Sequence, residues 1–496
     1  MNNSFNKIRT RFAPSPTGYM HIGNARIALL NYLYARQNKG EFVLRIDDTD
    51  LERVKQEYKD ALFKDLDWMG IDYDLSFNQS DRIKKYDLIR DNLIKQGFLY
   101  PCFETKEELD IKRKFQLSRG KPPIYDRSSL NLTIEEIEGL IKQGKKPHYR
   151  FKLSHKKIKW SDKIKGDICF DSKDMSDPIL IRENGSYTYM LCSVIDDIDY
   201  SISDIIRGED HLSNTAIQIE IFNALEASIP NFSHISLMKS IDSTKISKRN
   251  IDDTSVDESN GSRKSLFSLA SLRSNSIENL TLNSFLCFVG SSNNIRAVSS
   301  NAELINNFDI NSYSKSPCKY DQKLLEDLNY KIISGYSFKQ AKEILSNRLE
   351  DSHINNTNSR NTFKHDLFTE EFWLLIRKNI SSMNEVIIWQ NVCFNTPDLE
   401  LFILNNKDDI KNLSIDEEIY KRAIDLLPQE INEDSWSIWT KEISKVTGRK
   451  GKKLFMPIRI ALTGFLSGPE LKFVIAILVR KEIIARLEKA MILANI

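Results

Sequence analysis

Within its first 47 residues the chain writes out a strand, a tight turn, a helix and a second strand. KIRTRFA (7–13) is a strand candidate, and APSPTG (13–18) turns on its prolines and glycine. Residues 25–37 carry apolar side chains at helical spacing, and EFVLRID (41–47) alternates Phe42, Leu44 and Ile46 with Glu41, Val43 and Arg45. A strand, helix, strand order commits the chain to a parallel α/β sheet, with the crossover helix packed on one face. Ligands of such sheets sit beyond the carboxyl ends of the strands. Both APSPTG and DDTD (47–50) fall there.

The remaining 450 or so residues must hold more than one core, since a chain of 496 residues implies roughly two to four domains. A hydrophobic content of 41% and a charged content of 28% are those of a globular protein exposed to water. The net charge of +2 leaves the partners open. A basic stretch such as TGRKGKK (447–453) suits an anionic ligand or a solvated loop equally well. MNNSFNKIRT lacks the apolar centre of a signal peptide, and the run Phe473 to Val479 is too short to span a bilayer and reads as part of a buried helix. The six cysteines are scattered with no CxxC pair, which points to reduced thiols in a cytoplasmic protein rather than a disulfide framework or a zinc ribbon.

Residues 101–185 read as an insertion: helical over 104–118, a loop GKPPIYDR, helical over 133–143, then a β-rich PHYRFKL. The apolar run YTYMLCSVIDDI (187–198) is expected to return to the sheet. Residues 250–266 are rich in Ser, Asn and Asp and are expected to be a flexible loop. Beyond about residue 330 strand signals fade, and DQKLLEDLNYKII, DEEIYKRAIDLL and LKFVIAILVRKEIIARLEKAMIL read as successive helices. Trp436 and Trp439 stand before Arg449–Lys453 and either stack on bases or pack in a core, with the core favoured.

The turn before the first helix offers unpaired backbone N–H groups and a positive dipole end to an anion. Gly18 and Gly23 let a ligand approach the backbone, and His21 is placed to donate to a phosphate oxygen. A packed Pro/Gly loop is an equally good account of the turn alone. Further on, SIDSTKISKRN (240–250) sets Lys245, Lys248 and Arg249 within five residues, enough positive charge to surround a triphosphate.

Together HIGN (21–24) and KISKR (245–249) resemble the HIGH and KMSKS signatures of the class I aminoacyl-tRNA synthetases. TRFAPSPTGYMHIGNAR, FVLRIDDTDLER, YTYMLCSVIDD, IIRGEDHLSNTAIQ and GRKGKKLFMPIRIALTG are similar, in order, to segments of the bacterial glutamyl-tRNA synthetases. Only 250–285 and 345–420 carry no motif of that kind. The resemblance implies a multidomain chain: an α/β Rossmann-like catalytic domain (1–100 and 186–250), an inserted α+β acceptor-binding subdomain (101–185), a connecting region (251–330) and an all-α anticodon-binding region (331–496).

It also implies a reaction, the attachment of glutamate to tRNA(Glu) through glutamyl-adenylate. His21, Lys245 and Lys248 then stabilise charge at the α-phosphate, and Gly23, Asn24, Ser247, Lys248 and Arg249 hold ATP. Arg11, Ala13, Ser15, Asp47, Tyr189, Ser193 and Arg207 form the glutamate pocket. Many relatives carry Glu at the place of Asp47, and some carry Asn at that of Ser193. Mg²⁺ is expected on the ATP phosphates. No zinc is expected, because the insertion offers Cys102 where relatives with a zinc site have several cysteines, with Glu104 and Ser129 standing in their places. A monomer without membrane contact is expected. Charging of tRNA(Gln), alone or in addition, remains open, as do a tRNA-independent adenylyl transferase and a non-catalytic RNA-binding paralogue.

Overall fold

The first strand, β1 (Arg9–Phe12), lies parallel to β2 (Glu41–Ile46), with Arg9 opposite Glu41 and Phe12 opposite Leu44. In this computed structural model the described residues are 5, 7–50, 53–239, 267–350, 363–395, 416–432 and 434–494. They fall into two units: Met1–Asn275 with Asn279–Leu325, and Ser276–Glu278 with Glu326–Ile496.

In the first unit, α1 (Ile22–Gln37) crosses from β1 to β2, and α2 (Gln56–Trp68) leads to β3 (Leu75–Asn78), which extends the parallel sheet. The crossover helix begins three residues before the apolar spacing suggested, because His21 caps it. Ile22, Ala25, Ala28, Leu29 and Leu33 are all fully buried. On the far side of β1 lies the strand Asp204–Gly208, where Ser203 N donates to Arg9 O (2.9 Å) and Asn31 Nδ2 to Ile206 O (2.9 Å). The strand Asn231–Ile235 pairs parallel with it.

The insertion divides between two sheets. Leu99–Cys102, His148–Phe151 and Ile179–Ile181 form an antiparallel sheet of their own. The hairpin Lys157–Asp162/Gly166–Asp171 instead joins the larger sheet, with Asp162 opposite Phe232. Helices Lys106–Ser118 and Ile134–Lys142 each open on a capping box, Thr105 with Glu108 and Thr133 with Glu136.

One expectation is overturned. The run 187–198 does not return to the sheet; it forms the helix Tyr189–Asp199. Leu191, Cys192, Val194 and Ile195 are buried among Ile217, Ile221 and Phe222 of the helix Leu212–Ala224 and side chains of the small sheet. Met190, Leu191, Cys192, Val194 and Ile195 leave few polar breaks in the run, and its polar residues Ser193, Asp196 and Asp197 are buried as well, so it resembles a buried strand.

In the second unit every regular element among the described residues is helical. Trp439 is fully buried with Nε1 donating to Ala423 O (2.8 Å), and Trp436 packs edge-on against it, so both tryptophans serve a core. The C-terminal apolar run is split: the helix Leu471–Ile477 buries Val474 and Ile475, while Val479 is exposed and precedes the helix Arg480–Leu493. Arg486, also fully buried, donates to the carbonyls of Leu462 and Asn395 and to Glu482, satisfying the ends of two preceding helices. No helix among the described residues is long and apolar enough to cross a membrane.

Candidate active site

Four strands of the first unit deliver their carboxyl ends to one cavity of about 490 Å³. Phe12 ends β1 and Ala13 follows it, Asp47 follows β2, Arg207 stands one residue before the end of Asp204–Gly208, and Ser236 follows Asn231–Ile235. Arg11 reaches the cavity from β1, Ser15 from the turn that follows it, and His21, Gly23 and Asn24 from the start of α1. Tyr189 and Ser193 enter one helical turn apart from Tyr189–Asp199. All ten described residues assigned to the site from sequence therefore line one space. Lys245, Ser247, Lys248, Arg249 and the polar segment 250–266 lie outside the described residues.

The opening turn is organised by His21. Its Nδ1 accepts from Gly23 N (3.1 Å) and Asn24 N (3.4 Å), in the manner of an N-cap. A nitrogen that accepts cannot carry the proton, so the neutral ring holds it on Nε2. Gly23 has a nearer reason to lack a side chain than ligand access. A Cβ there would stand 2.9 Å from His21 Cε1 and 3.0 Å from Nδ1, so the glycine makes room first for the imidazole.

The charged groups behave unequally. Arg11 Nε donates to Asp197 (3.2 Å), and Arg45 joins Asp47 (2.7 Å) to Asp197 (2.9 Å). Asp47 thus has a guanidinium partner in the wall, while burial pushes its carboxyl up to about 6 against the pull of Arg45. Arg207 has no ion-pair partner among the described residues. Its Nε donates to His234 Nε2 (3.3 Å), and its Nη2 to Thr215 Oγ1 (2.6 Å) and Gln218 Oε1 (2.7 Å). Burial, with Arg11 nearby, brings the guanidinium down to about 10, so it stays charged at neutral pH. A buried cation held only by neutral acceptors is electrostatically unfinished. An anionic group entering the cavity completes it.

The catalytic-domain profile of "tRNA synthetases class I (E and Q)" matches residues 7–327, and that of an "Anticodon binding domain" matches residues 338–491. The chain belongs to the class I tRNA synthetase family. It is 49% identical over 486 residues to glutamate--tRNA ligase 1 of Rickettsia massiliae, covering 98% of this chain and 100% of that protein. It is 48% identical over 482 residues to glutamate--tRNA ligase 1 of Rickettsia prowazekii, covering 97% and 99%. In fold it is similar to a glutamate tRNA ligase from Elizabethkingia meningosepticum crystallised in complex with its amino acid: TM-score 0.81, 24% identity, 99% of this chain and 100% of that one.

Sequence inspection of this class I synthetase missed Arg45, His211, Gln218 and His234. Gln218 links Arg207 to Ser193 by donating to the serine Oγ (2.8 Å). His211 lies in the cavity wall beside Tyr189, whose hydroxyl also meets Asn214. Burial and the nearby Arg207 bring its imidazole down to about 4, so it is neutral. Arg45 sits in β2 as one more alternating residue, and only the fold places Asp47 and Asp197 around it.

Counting cysteines in the insertion also missed a neighbour. Strand pairing sets His148 opposite Cys102, and with Glu104 their ligand atoms lie within 4.8 Å of one another. Hydroxyls already meet two of the three, Tyr125 reaching Cys102 Sγ (3.6 Å), while His148 Nε2 is buried without a hydrogen-bond partner. Glu104 accepts from Tyr125 (2.7 Å), Ser128 (3.0 Å) and Ser129 (3.0 Å). Burial pushes the Cys102 thiol up, away from the thiolate that zinc requires, and brings His148 down to about 4. Three such donors fall short of the four of a structural zinc site.

Proposed function

We propose that this synthetase is a glutamate–tRNA ligase that joins L-glutamate to ATP as glutamyl-adenylate, releases pyrophosphate, and passes the acyl group to the 3′-terminal adenosine of tRNA(Glu), releasing AMP. The observation that carries the proposal is Arg207, a buried guanidinium opening on the cavity with neutral partners only. Glutamate brings two carboxylates, and the planar fork of an arginine suits either one. Arg11 assists from β1, backbone at Ala13 and the hydroxyls of Ser15, Tyr189 and Ser193 line the remaining wall, and Asp47 faces the ammonium while Arg45 holds it in place.

In the first step an α-carboxylate oxygen attacks the α-phosphorus and the bond to pyrophosphate breaks. The nucleophile is ionised at neutral pH, so no general base is required. Catalysis then lies in positioning and in donors aimed at the developing charge. His21 offers Nε2–H, Lys245 and Lys248 bring two ammonium groups, and Gly23, Asn24, Ser247 and Arg249 hold ATP. Mg²⁺ accompanies the ATP phosphates; the Cys102–Glu104–His148 group is not part of the cavity wall. In the second step a ribose hydroxyl of the terminal adenosine attacks the acyl carbon, and AMP leaves.

Aminoacylation with purified tRNA(Glu) and tRNA(Gln) transcripts in separate reactions tests the proposal. Charging of tRNA(Glu) with glutamate is expected, and ATP–pyrophosphate exchange should require tRNA. Full exchange with glutamate and ATP alone would point instead to a tRNA-independent adenylyl transferase, and glutamylation of tRNA(Gln) would widen the substrate range.

The chain acts as a cytoplasmic monomer and holds no zinc. Metal analysis of the purified protein should find well under one zinc per chain, with an unchanged melting temperature after chelation. One zinc per chain, removable only with loss of fold, would mean that the hydroxyl-bound cluster around Glu104 gives way to a metal.

A further inference from the structure

His234 and Asp162 are fully buried side chains, and the reaction described above uses neither. Asp162 Oδ1 accepts from the backbone N–H groups of Ile164 (3.0 Å), Lys165 (2.9 Å) and His234 (3.2 Å), which fixes the carboxylate. Its other oxygen, Oδ2, lies 2.6 Å from His234 Nδ1. A carboxylate only accepts, so the ring proton sits on Nδ1 and Nε2 carries the lone pair. That lone pair faces Arg207 Nε (3.3 Å) and the Thr215 hydroxyl (2.9 Å).

We propose that Asp162 and His234 are positioning residues for Arg207, fixing the imidazole tautomer that holds its guanidinium towards the substrate carboxylate without neutralising it. The inference rests on the assignment of Arg207 to that carboxylate. Its logic is one of charge. A carboxylate touching Arg207 directly would orient the fork equally well, but would satisfy the cation before substrate arrives. Here the negative charge stands one imidazole away, and the groups in contact with Arg207 are His234, Thr215 and Gln218, all neutral acceptors. The charged groups around the imidazole are Asp162, Arg207 and Lys165; burial, set against the Asp162 hydrogen bond, lowers its pKa and keeps it neutral.

Asp162→Asn tests the tautomer directly. The asparagine oxygen is retained by the three backbone donors, so its amide donates to Nδ1, moves the ring proton to Nε2 and opposes two N–H groups at Arg207. In aminoacylation of tRNA(Glu), D162N should raise the KM for glutamate about tenfold, with kcat and the KM for ATP within about twofold. His234→Gln supplies a carbonyl acceptor that needs no tautomer and should stay within about threefold of the parent glutamate KM, whereas His234→Leu should match D162N. The double variant D162N/H234Q should return to the level of H234Q, because Asp162 acts only through the ring.

An unchanged glutamate KM in D162N overturns the inference, as does a parallel rise in the KM values of glutamate and ATP. If D162N does not fold, equal glutamate KM values for H234Q and H234L overturn it. Arg207→Gln separates the two levels: if it leaves the glutamate KM unchanged, the assignment of Arg207 fails, whereas a rise there with no effect in D162N removes only the role of the pair.

Discussion

Arg207→Gln is expected to lower kcat/KM for glutamate by about 10²–10³-fold, which is about 3–4 kcal/mol of lost transition-state stabilisation. The size follows from burial. A charged, fork-shaped donor removed from a dry wall leaves a substrate carboxylate with no cationic partner at that point, and breaking a buried ion pair costs about 3–5 kcal/mol. Glutamine preserves hydrogen bonding and much of the volume, so the change isolates charge. The carboxylate is present before and during the reaction, so most of the loss should appear in the KM for glutamate. Steady-state aminoacylation with varied glutamate and then varied ATP measures it. A variant whose glutamate KM is intact would show that Arg207 serves the cavity wall rather than the substrate.

His21→Asn should separate the two duties of one imidazole. Asparagine is a good N-cap, so its side-chain oxygen can replace Nδ1 as the acceptor for the N–H groups of Gly23 and Asn24. It cannot reach as far as Nε2–H. The melting temperature should therefore stay close to that of the parent, while the rate of glutamyl-adenylate formation falls about 10²–10³-fold, as expected for loss of one donor to transition-state charge. Pyrophosphate exchange in the presence of tRNA, paired with thermal unfolding, makes the comparison. A large drop in melting temperature with the rate per folded molecule preserved would assign the histidine to the helix cap alone.

The sequence was most legible where local chemistry and function coincide. The Pro/Gly turn, the apolar spacing of residues 25–37 and the alternation of Glu41–Ile46 identified β1, α1 and β2, and the cavity lies at the strand ends where that order puts it. All ten described site residues converge because each sits on or beside a motif. What escaped notice depends on contacts remote in sequence. Asp162 and His234 stand 72 residues apart and touch only once the hairpin 157–171 has joined the larger sheet. Cys102 and His148 meet through strand pairing alone. The helix 189–199 reads as a strand because its apolar positions are nearly continuous and its polar residues Ser193, Asp196 and Asp197 turn inward, which leaves no solvated face to mark the helical period.

Arg45 is answered by Asp197, which lies 152 residues further along the chain. At a synthesis rate of about 5–20 residues per second, that separation is about 8–30 s. During this interval β2 has emerged from the ribosome with Asp47 beside its arginine but without the second carboxylate, and Arg11 has no carboxylate at all from the later helix. Burying those cations in an incomplete sheet is unfavourable, so the amino-terminal half must wait, unsealed, for the segment 189–199 to arrive. The same ion pairs that hold the cavity wall together thus set the earliest moment in translation at which that wall can close.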